Sequence, residues 1–161
     1  FEHGFCRFNQ GMPFRPLGLV LQRFVPETGI RAILCQHGIN DSGLNDRAAE
    51  FRDMFHFVID YTRATFTLPD LAWVLTRESK PGTPFENIRA TIDRMLAEER
   101  EVYPGPDFAR YTATTEGRDD RIHLASPTDC ELYARIWDEA LNDDFFNHSR
   151  PMVRRPGGYA G

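Results

Sequence analysis

Two short apolar runs, residues 30–35 and 71–75, constrain the fold of this chain more than any other feature of its sequence. Each is almost free of polar residues, which is typical of a strand buried on both faces of a parallel sheet. Helical spacing of apolar residues precedes the first run, separates the two runs and follows the second. A third candidate strand begins at residue 101, and another helical pattern follows it. This alternation predicts an α/β fold in which helices cover both faces of a parallel sheet.

Three amphipathic helices carry the clearest helical patterns. Their apolar stripes are Phe51, Met54, Phe55, Val58 and Ile59; then Phe85, Ile88, Ile92, Met95 and Leu96; and finally Leu132, Ile136, Trp137, Ala140 and Leu141. Asn45 is the predicted N-cap of the first helix. Capping boxes predict that the second begins at Pro84, after Thr83, and that the third begins after Thr128. An earlier helical pattern is predicted to end at Pro26, and residues 104–106 to form a turn.

The overall composition excludes several classes of protein. The 161 residues suffice for one globular domain, and a net charge of −5 with arginines scattered along the chain argues against nucleic-acid binding. Cys6, Cys35 and Cys130 are far apart and odd in number, so neither a disulfide framework nor a zinc knuckle is expected. No apolar run approaches the roughly 18–20 residues that cross a bilayer. We expect a soluble protein without a cofactor, and the sequence leaves its compartment open between cytoplasmic and secreted.

A polar loop follows directly after the first predicted strand, with the sequence Gly38-Ile39-Asn40-Asp41. In parallel α/β sheets, ligands bind beyond the carboxyl ends of the strands. Gly38 allows the backbone to turn and to approach a ligand closely. The side-chain amide of Asn40 can then donate to developing negative charge, as one donor of an oxyanion hole. The alternative is an Asx turn in which Asn40 and Asp41 only satisfy nearby backbone groups.

A second polar segment pairs Asp120 with His123, shortly before the last predicted helix. Histidine takes and returns a proton near neutral pH, which suits the general base of ester hydrolysis. A carboxylate beside it fixes the imidazole tautomer and stabilises the imidazolium. A short Asp-x-x-His segment therefore offers both groups. The same tetrapeptide also occurs by chance, so an ordinary turn is the alternative.

In this order and these contexts, the two motifs resemble the SGNH (GDSL) hydrolase superfamily, over roughly residues 30–141. Gly-x-Asn-Asp matches the third sequence block of that superfamily and Asp-x-x-His matches the fifth. The resemblance implies a three-layer α/β/α, flavodoxin-like fold and hydrolysis of an ester through an acyl-serine. It implies His123 as general base, Asp120 as its orienting carboxylate and Asn40 as an oxyanion donor after Gly38. Residues 36–38, Gln-His-Gly, also resemble the Gln-Gly loop of carbohydrate acetylesterases, which implies a small-molecule or carbohydrate ester as substrate.

The chain departs from that family in its first two blocks, and Gly11 is the only weak candidate for the glycine of the second. The family's first block, a Gly-Asp-Ser or Gly-Gln-Ser segment after the first strand, has no match, because Ser42, Ser79, Ser126 and Ser149 all lack that setting. We therefore expect residues 1–142 to form a hydrolase-like domain without its first strand and helix. The nucleophile is then expected from another segment or another chain. Residues 143–161 are predicted to be a polar, Arg- and Gly-rich tail.

Two alternatives to a serine hydrolase remain open on the sequence. One is a metal-dependent hydrolase that uses His37, Asp41, Asp120 and His123, since two imidazoles and two carboxylates can bind zinc or manganese. The other is a partner or carbohydrate-binding module that keeps the fold without the chemistry. Metal analysis of the purified protein tests the first alternative, since a bound metal that activity requires would exclude the serine mechanism. Ester hydrolysis by a protein that also contains the nucleophilic serine would exclude the second.

Overall fold

The computed structural model describes residues 14–38, 45–79, 85–112, 127–155 and 158–160. The elements in these ranges are α1 (Phe14–Arg23), α2 (Val25–Thr28), β1 (Ala32–Cys35), α3 (Ala48–Thr65), β2 (Ala72–Arg77), α4 (Glu86–Glu98), β3 (Val102–Asp107), α5 (Ala109–Thr112), α6 (Pro127–Ala140), α7 (Asp143–His148), β4 (Val153–Arg155) and β5 (Gly158–Ala160). Within these ranges, no helix has the length and apolar character needed to cross a membrane.

Strands β1, β2 and β3 form a parallel sheet in that order. Ala32 of β1 lies opposite Ala72 of β2, and Trp73 of β2 lies opposite Val102 of β3. Helix α3 lies between β1 and β2 in the chain and α4 lies between β2 and β3, as crossover connections of a parallel sheet require. The predicted α/β class with a parallel sheet is therefore confirmed.

Strand β3 extends further than the sequence predicts. Pro104 and Pro106 lie inside the strand, and Pro104 is opposite Leu75, so the predicted turn at 104–106 is wrong. Among the described strands, β3 has one neighbour and lies at the edge of the sheet. Edge strands tolerate proline because one row of their N–H positions needs no ladder partner.

Helices cover both faces of the central strand β2. Trp73 and Leu75 point into a core cluster built with α3 and α4. Val74, between them, is buried in a second cluster with Trp137 of α6 and Phe145 of α7. Alternate residues of a strand point to opposite faces, so the uninterrupted apolar run of β2 follows from burial on both sides.

Strand β1 is less enclosed than its apolar run predicts. Cys35 is buried, but Leu34 is 49% exposed. β1 is the other edge strand of the sheet among the described residues. The expectation of a strand buried on both faces is therefore wrong for β1 at Leu34 and correct for β2.

The amino-terminal helices and the later part of the chain pack together beside the sheet. Leu21 of α1 and Val25 of α2 are buried in one cluster with Leu71 and Met152. The backbones of Ile30 and Met152 exchange hydrogen bonds of 2.9 and 2.7 Å. The prediction that the first helical pattern ends at Pro26 is wrong, because α1 ends at Arg23 and Pro26 lies in the first turn of α2. At that position the missing N–H of proline needs no partner within the helix.

Residues 143–155, which the sequence predicts to begin a polar tail, are held against the domain. Phe145, Ser149 and Met152 are buried. Arg31, which precedes β1, donates to the carbonyl oxygen of Ser149 at 2.6 Å and to that of Phe146 at 3.3 Å. Its guanidinium also lies 5.3 Å from the centre of the Phe146 ring. A cation at the carboxyl end of α7 satisfies carbonyls that the helix leaves without partners.

The predicted helix starts are wrong by a few residues, and one cap serves a different helix. Helix α4 begins at Glu86 with Phe85 at its N-cap, and α6 begins at Pro127, so Thr128 lies inside it. The Oδ1 of Asn45 accepts a hydrogen bond from the backbone N–H of Asn87 at 3.1 Å. Asn45 therefore satisfies the first turn of α4, whereas it is predicted to cap α3.

Candidate functional site

The carboxyl ends of the three parallel strands lie along one edge of the sheet. Residues 36–38 follow β1, Glu78 follows β2, and Asp107 ends β3. This is the edge at which parallel α/β sheets bind ligands. Among the predicted site residues, Gly38 lies here, three residues after the end of β1, and its functional role stays a prediction. Asn40, Asp41, Asp120 and His123 lie outside the described residues.

Gly38 has a backbone conformation that favours glycine. It is buried, with a φ of +126°. A Cβ at this position would lie 3.7 Å from the Phe51 ring and 3.8 Å from Cγ of Glu78, which are ordinary contact distances. The backbone angle, and not lack of space, therefore accounts for the glycine. In the sequence, Gly38 is followed by Ile39, Asn40 and Asp41, the rest of the Gly-x-Asn-Asp motif.

Glu78 is a buried carboxylate that the sequence reasoning missed. Its residue is 2% exposed, and its Oε1 accepts a hydrogen bond of 2.9 Å from Oγ1 of the buried Thr76. Burial raises the pKa of the Cys35 thiol to about 12, and the charge of Glu78 adds to that rise. Burial also raises the pKa of Tyr133, again with a contribution from Glu78. The carboxylate thus acts electrostatically on residues of both β1 and α6.

A network of ion pairs fixes the ends of β2 and β3. Nη2 of Arg89 contacts both carboxylate oxygens of Asp107 at 2.9 Å, and Nη1 of Arg77 contacts the same carboxylate at 2.7 Å. Nη1 of Arg89 also donates to the backbone carbonyl of Glu78 at 3.1 Å. Because Arg89 belongs to α4, one guanidinium ties this helix to two strand ends. Charge-assisted bonds of this kind hold backbone positions with little freedom.

Tyr133 of α6 reaches across the same edge. Its hydroxyl donates a hydrogen bond to Oε1 of Gln36, directly after β1. Its ring stacks on Phe108, directly after β3, with 6.0 Å between ring centres and 27° between planes. On its other side it packs edge-on against Trp137 at 6.4 Å. A helix pattern alone assigns Tyr133 no role, since its partners come from distant parts of the chain.

His37 is the one member of the hypothetical metal set that the structure describes. It is half-buried, and its ring centre lies 5.8 Å from that of Phe55. The described ranges contain no group of three His, Cys, Asp or Glu side chains arranged to hold a metal ion. The predicted set of His37, Asp41, Asp120 and His123 stays a hypothesis, because three of its members lie outside those ranges.

The chain therefore contains a parallel α/β domain in which polar side chains are held by hydrogen bonds and ion pairs at the carboxyl ends of the strands. Comparison of the chain with protein-family models, with curated proteins and with solved structures finds no match. The chemistry at this edge is therefore argued from its residues and from the motifs in the adjoining segments.

Proposed function

We propose that this domain is an ester hydrolase of the SGNH (GDSL) type that acts on a small-molecule or carbohydrate ester. The observation that supports the proposal most is Gly38. It is buried at the carboxyl end of the parallel strand β1, has a φ of +126°, and begins the Gly-x-Asn-Asp motif. A close turn at this point starts the oxyanion loop where a ligand of a parallel α/β sheet binds.

The proposed mechanism uses a serine supplied from outside these 161 residues. His123 takes the proton of that hydroxyl as it attacks the ester carbonyl, and Asp120 holds the imidazole and stabilises its cation. Asn40 donates to the oxyanion of the tetrahedral intermediate. His123 then returns the proton to the leaving alcohol, and water hydrolyses the acyl-serine by the same steps. The proposal includes the three-layer, flavodoxin-like order of the superfamily, with a further strand and helix on that outside segment.

Substitution of the three motif residues in the natural full-length protein tests the proposal. His123→Ala and Asp120→Ala are expected to lower kcat for p-nitrophenyl acetate by orders of magnitude, and Asn40→Ala by about 10²–10³. His148→Ala is the matched control, because His148 is exposed on α7 and its Nδ1 contacts the carbonyl of Asp144. Full activity of His123→Ala contradicts the assignment.

The nucleophile is tested separately from the base. A fluorophosphonate probe is expected to label one serine of the full-length protein, and peptide mapping is expected to place that serine after an apolar strand. Labelling should decrease in His123→Ala, because the serine then loses its base. Activity that requires a stoichiometric bound metal contradicts the serine mechanism and favours the metal-dependent alternative. Full-length protein with neither labelling nor turnover favours the binding module.

A further inference from the structure

The outer face of helix α3 carries two exposed aromatic side chains one turn apart. Phe57 is 51% exposed and Tyr61 is 42% exposed, whereas the opposite face of the helix is buried. The two rings stack on each other, with 5.6 Å between their centres and 30° between their planes. Aromatic side chains are enriched in the cores of protein interfaces, so an exposed pair held together in this way marks a candidate binding surface.

Carboxylates flank the aromatic pair on the same face of α3. Residues three and four apart lie side by side on a helix, so Asp53 and Asp60 are both neighbours of Phe57. Both carboxylates are exposed, and neither forms a hydrogen bond or an ion pair with another described residue. Glu50 lies one turn before Asp53 and is paired with Arg47 at 3.1 Å. Negative charge and aromatic surface therefore lie next to each other on this face.

The basic side chains in the middle and at the end of the same helix are bound elsewhere. Arg52 forms an ion pair with Glu98 of α4 at 3.3 Å. His56 pairs with Glu99, which follows α4, at 2.9 Å. Arg63 donates to backbone carbonyl oxygens of residues that precede β2 and β3. Because these cations point to other partners, they leave the charge of the outer face negative.

We propose that the surface formed by Asp53, Phe57, Asp60 and Tyr61, which we call the acidic–aromatic face, binds a partner protein through an arginine-rich segment. A guanidinium is planar, stacks on aromatic rings and donates hydrogen bonds to carboxylates, so one arginine uses both components of the face. Lysine carries the same charge but has no planar group to stack. A neutral peptide or a sugar gains from the rings and nothing from the negative charge. This inference does not depend on the proposed function.

The chain itself contains the contact on which this proposal relies. The guanidinium of Arg31 lies 5.3 Å from the centre of the Phe146 ring, and Phe146 is 49% exposed. An arginine therefore already lies over an exposed phenylalanine in this fold. The net charge of −5 also attracts a cationic segment towards the protein, most strongly at low ionic strength.

Binding of labelled peptides to the natural full-length protein tests the proposal. The probes are fluorescein-labelled hexa-arginine and hexa-lysine, and their binding is followed by fluorescence anisotropy. Hexa-arginine is expected to bind about 3- to 10-fold more tightly than hexa-lysine, because only arginine stacks on the rings. Cellohexaose, a neutral oligosaccharide, is expected not to displace it. No binding, equal affinity for the two peptides, or displacement by cellohexaose overturns the proposal.

Substitutions on the acidic–aromatic face locate the binding. Phe57→Leu and Tyr61→Leu keep an apolar side chain and remove the ring, and each is expected to weaken hexa-arginine binding about 2- to 5-fold. Asp53→Asn and Asp60→Asn each remove one charge and are expected to weaken it by a similar factor at low salt. All four residues are exposed, so the thermal midpoint is expected to change little.

Two matched controls make the same chemical changes elsewhere on the surface. Asp138→Asn removes an exposed carboxylate of α6, and Phe146→Leu removes the exposed ring that Arg31 already contacts. Both are expected to keep wild-type affinity. Equal losses in these controls and in the variants of the face overturn the proposal, because binding is then set by the overall charge or by any exposed ring.

A spectroscopic measurement detects the contact directly. 3-Fluorotyrosine placed at position 61 gives a ¹⁹F resonance that is expected to move when hexa-arginine is added, and to move less when Asp60 is replaced by Asn. A resonance that hexa-arginine leaves unmoved overturns the proposal even if the peptide binds. None of these measurements uses ester hydrolysis, so their outcome is separate from that of the proposed function.

Discussion

Replacement of Gly38 by alanine tests whether the turn after β1 is held in a conformation that favours glycine. An added Cβ would lie 3.7–3.8 Å from Phe51 and Glu78, so it meets no steric conflict. The cost comes from the φ of +126°, which an L-residue rarely adopts and which costs about 1–3 kcal/mol when imposed. Burial of the methyl group returns up to about 0.8 kcal/mol. We therefore expect a net loss of about 1–2 kcal/mol.

Urea and thermal unfolding measure this loss against a control with the same chemical change. For a domain of this size, 1 kcal/mol corresponds to about 2–4 °C in Tm, so Gly38→Ala should lower Tm by about 2–8 °C. Gly18→Ala is the control, because Gly18 lies within α1 and its added Cβ would meet Cζ of Phe66 at 3.4 Å. Alanine is favoured over glycine inside a helix by about 0.5–1 kcal/mol, so this variant should be more stable than the wild type.

The activity of Gly38→Ala connects the turn to the proposed chemistry. If the turn sets the direction of the loop that carries Asn40, kcat for p-nitrophenyl acetate should decrease at a temperature well below the lowered Tm. The control Gly18→Ala should keep its kcat. A Gly38→Ala variant as stable as the wild type refutes the argument from the backbone angle. A variant that is less stable but fully active refutes the link between the turn and the oxyanion loop.

Two further predictions concern charged groups in the packed domain. Arg63 donates two bonds, of 3.1 and 2.9 Å, to the carbonyl of the buried Leu71, so Arg63→Met should lower the free energy of unfolding by about 2–3 kcal/mol. Arg52→Met, which breaks an exposed ion pair, should cost less than about 1 kcal/mol in the same urea titration, and equal losses would contradict the prediction. Burial raises the pKa of Glu99 above its usual 4.5, so the folded protein loses stability as pH rises through that raised pKa. The Glu99→Gln variant should therefore have a higher Tm than the wild type at pH 7–8 and lose this advantage below pH 4.5. A difference in Tm that stays constant across this pH range would refute the prediction.

The strand that could be predicted best from the sequence is β2, because burial on both faces requires consecutive apolar residues. β2 reads as an apolar run because Trp73 and Val74 are both fully buried on opposite faces of the sheet. β3 was recognised only at its start, since Pro104 and Pro106 carry a turn signal that an edge strand tolerates. Burial on two faces leaves a trace in the sequence, whereas the place of a strand within the sheet does not.

The start of α4 also depends on a tertiary contact that the local sequence pattern does not contain. The capping box at Thr83 is a local pattern and Thr83 lies outside the described residues, but the N–H of Asn87 in the first turn of α4 donates to Asn45, 42 residues earlier in the chain. A donor or acceptor that lies far away in sequence can replace a local cap without altering the local pattern. Capping rules that use spacings of three or four residues cannot detect a hydrogen-bond partner that lies so far away in the sequence.

At the candidate site, the turn at Gly38 could be predicted because glycine has a local physical reason at such a position, and its φ of +126° fits that reason. Its role in catalysis stays a prediction. Glu78 and Tyr133 were missed for the opposite cause. A glutamate after a strand is read as an ordinary polar loop residue, and only the packing of β1 and α6 around it shows that it is buried. A carboxylate immediately after a two-face-buried strand is the signal that could have identified Glu78.

The carboxyl edge of the sheet is held together by bonds between residues that lie far apart in the chain. Arg89 binds Asp107 and the backbone of Glu78, so hydrogen bonds from one side chain connect the ends of β2 and β3 to α4. Tyr133 of α6 connects this edge to β1, because its ring stacks on Phe108 after β3 and its hydroxyl donates directly to Gln36 after β1. Gly38 follows Gln36 by two residues and begins the motif to which the proposed function assigns the oxyanion donor. Because side chains held by packing and by further hydrogen bonds keep their positions more closely than residues of a free loop, this edge is a suitable support for the proposed donor.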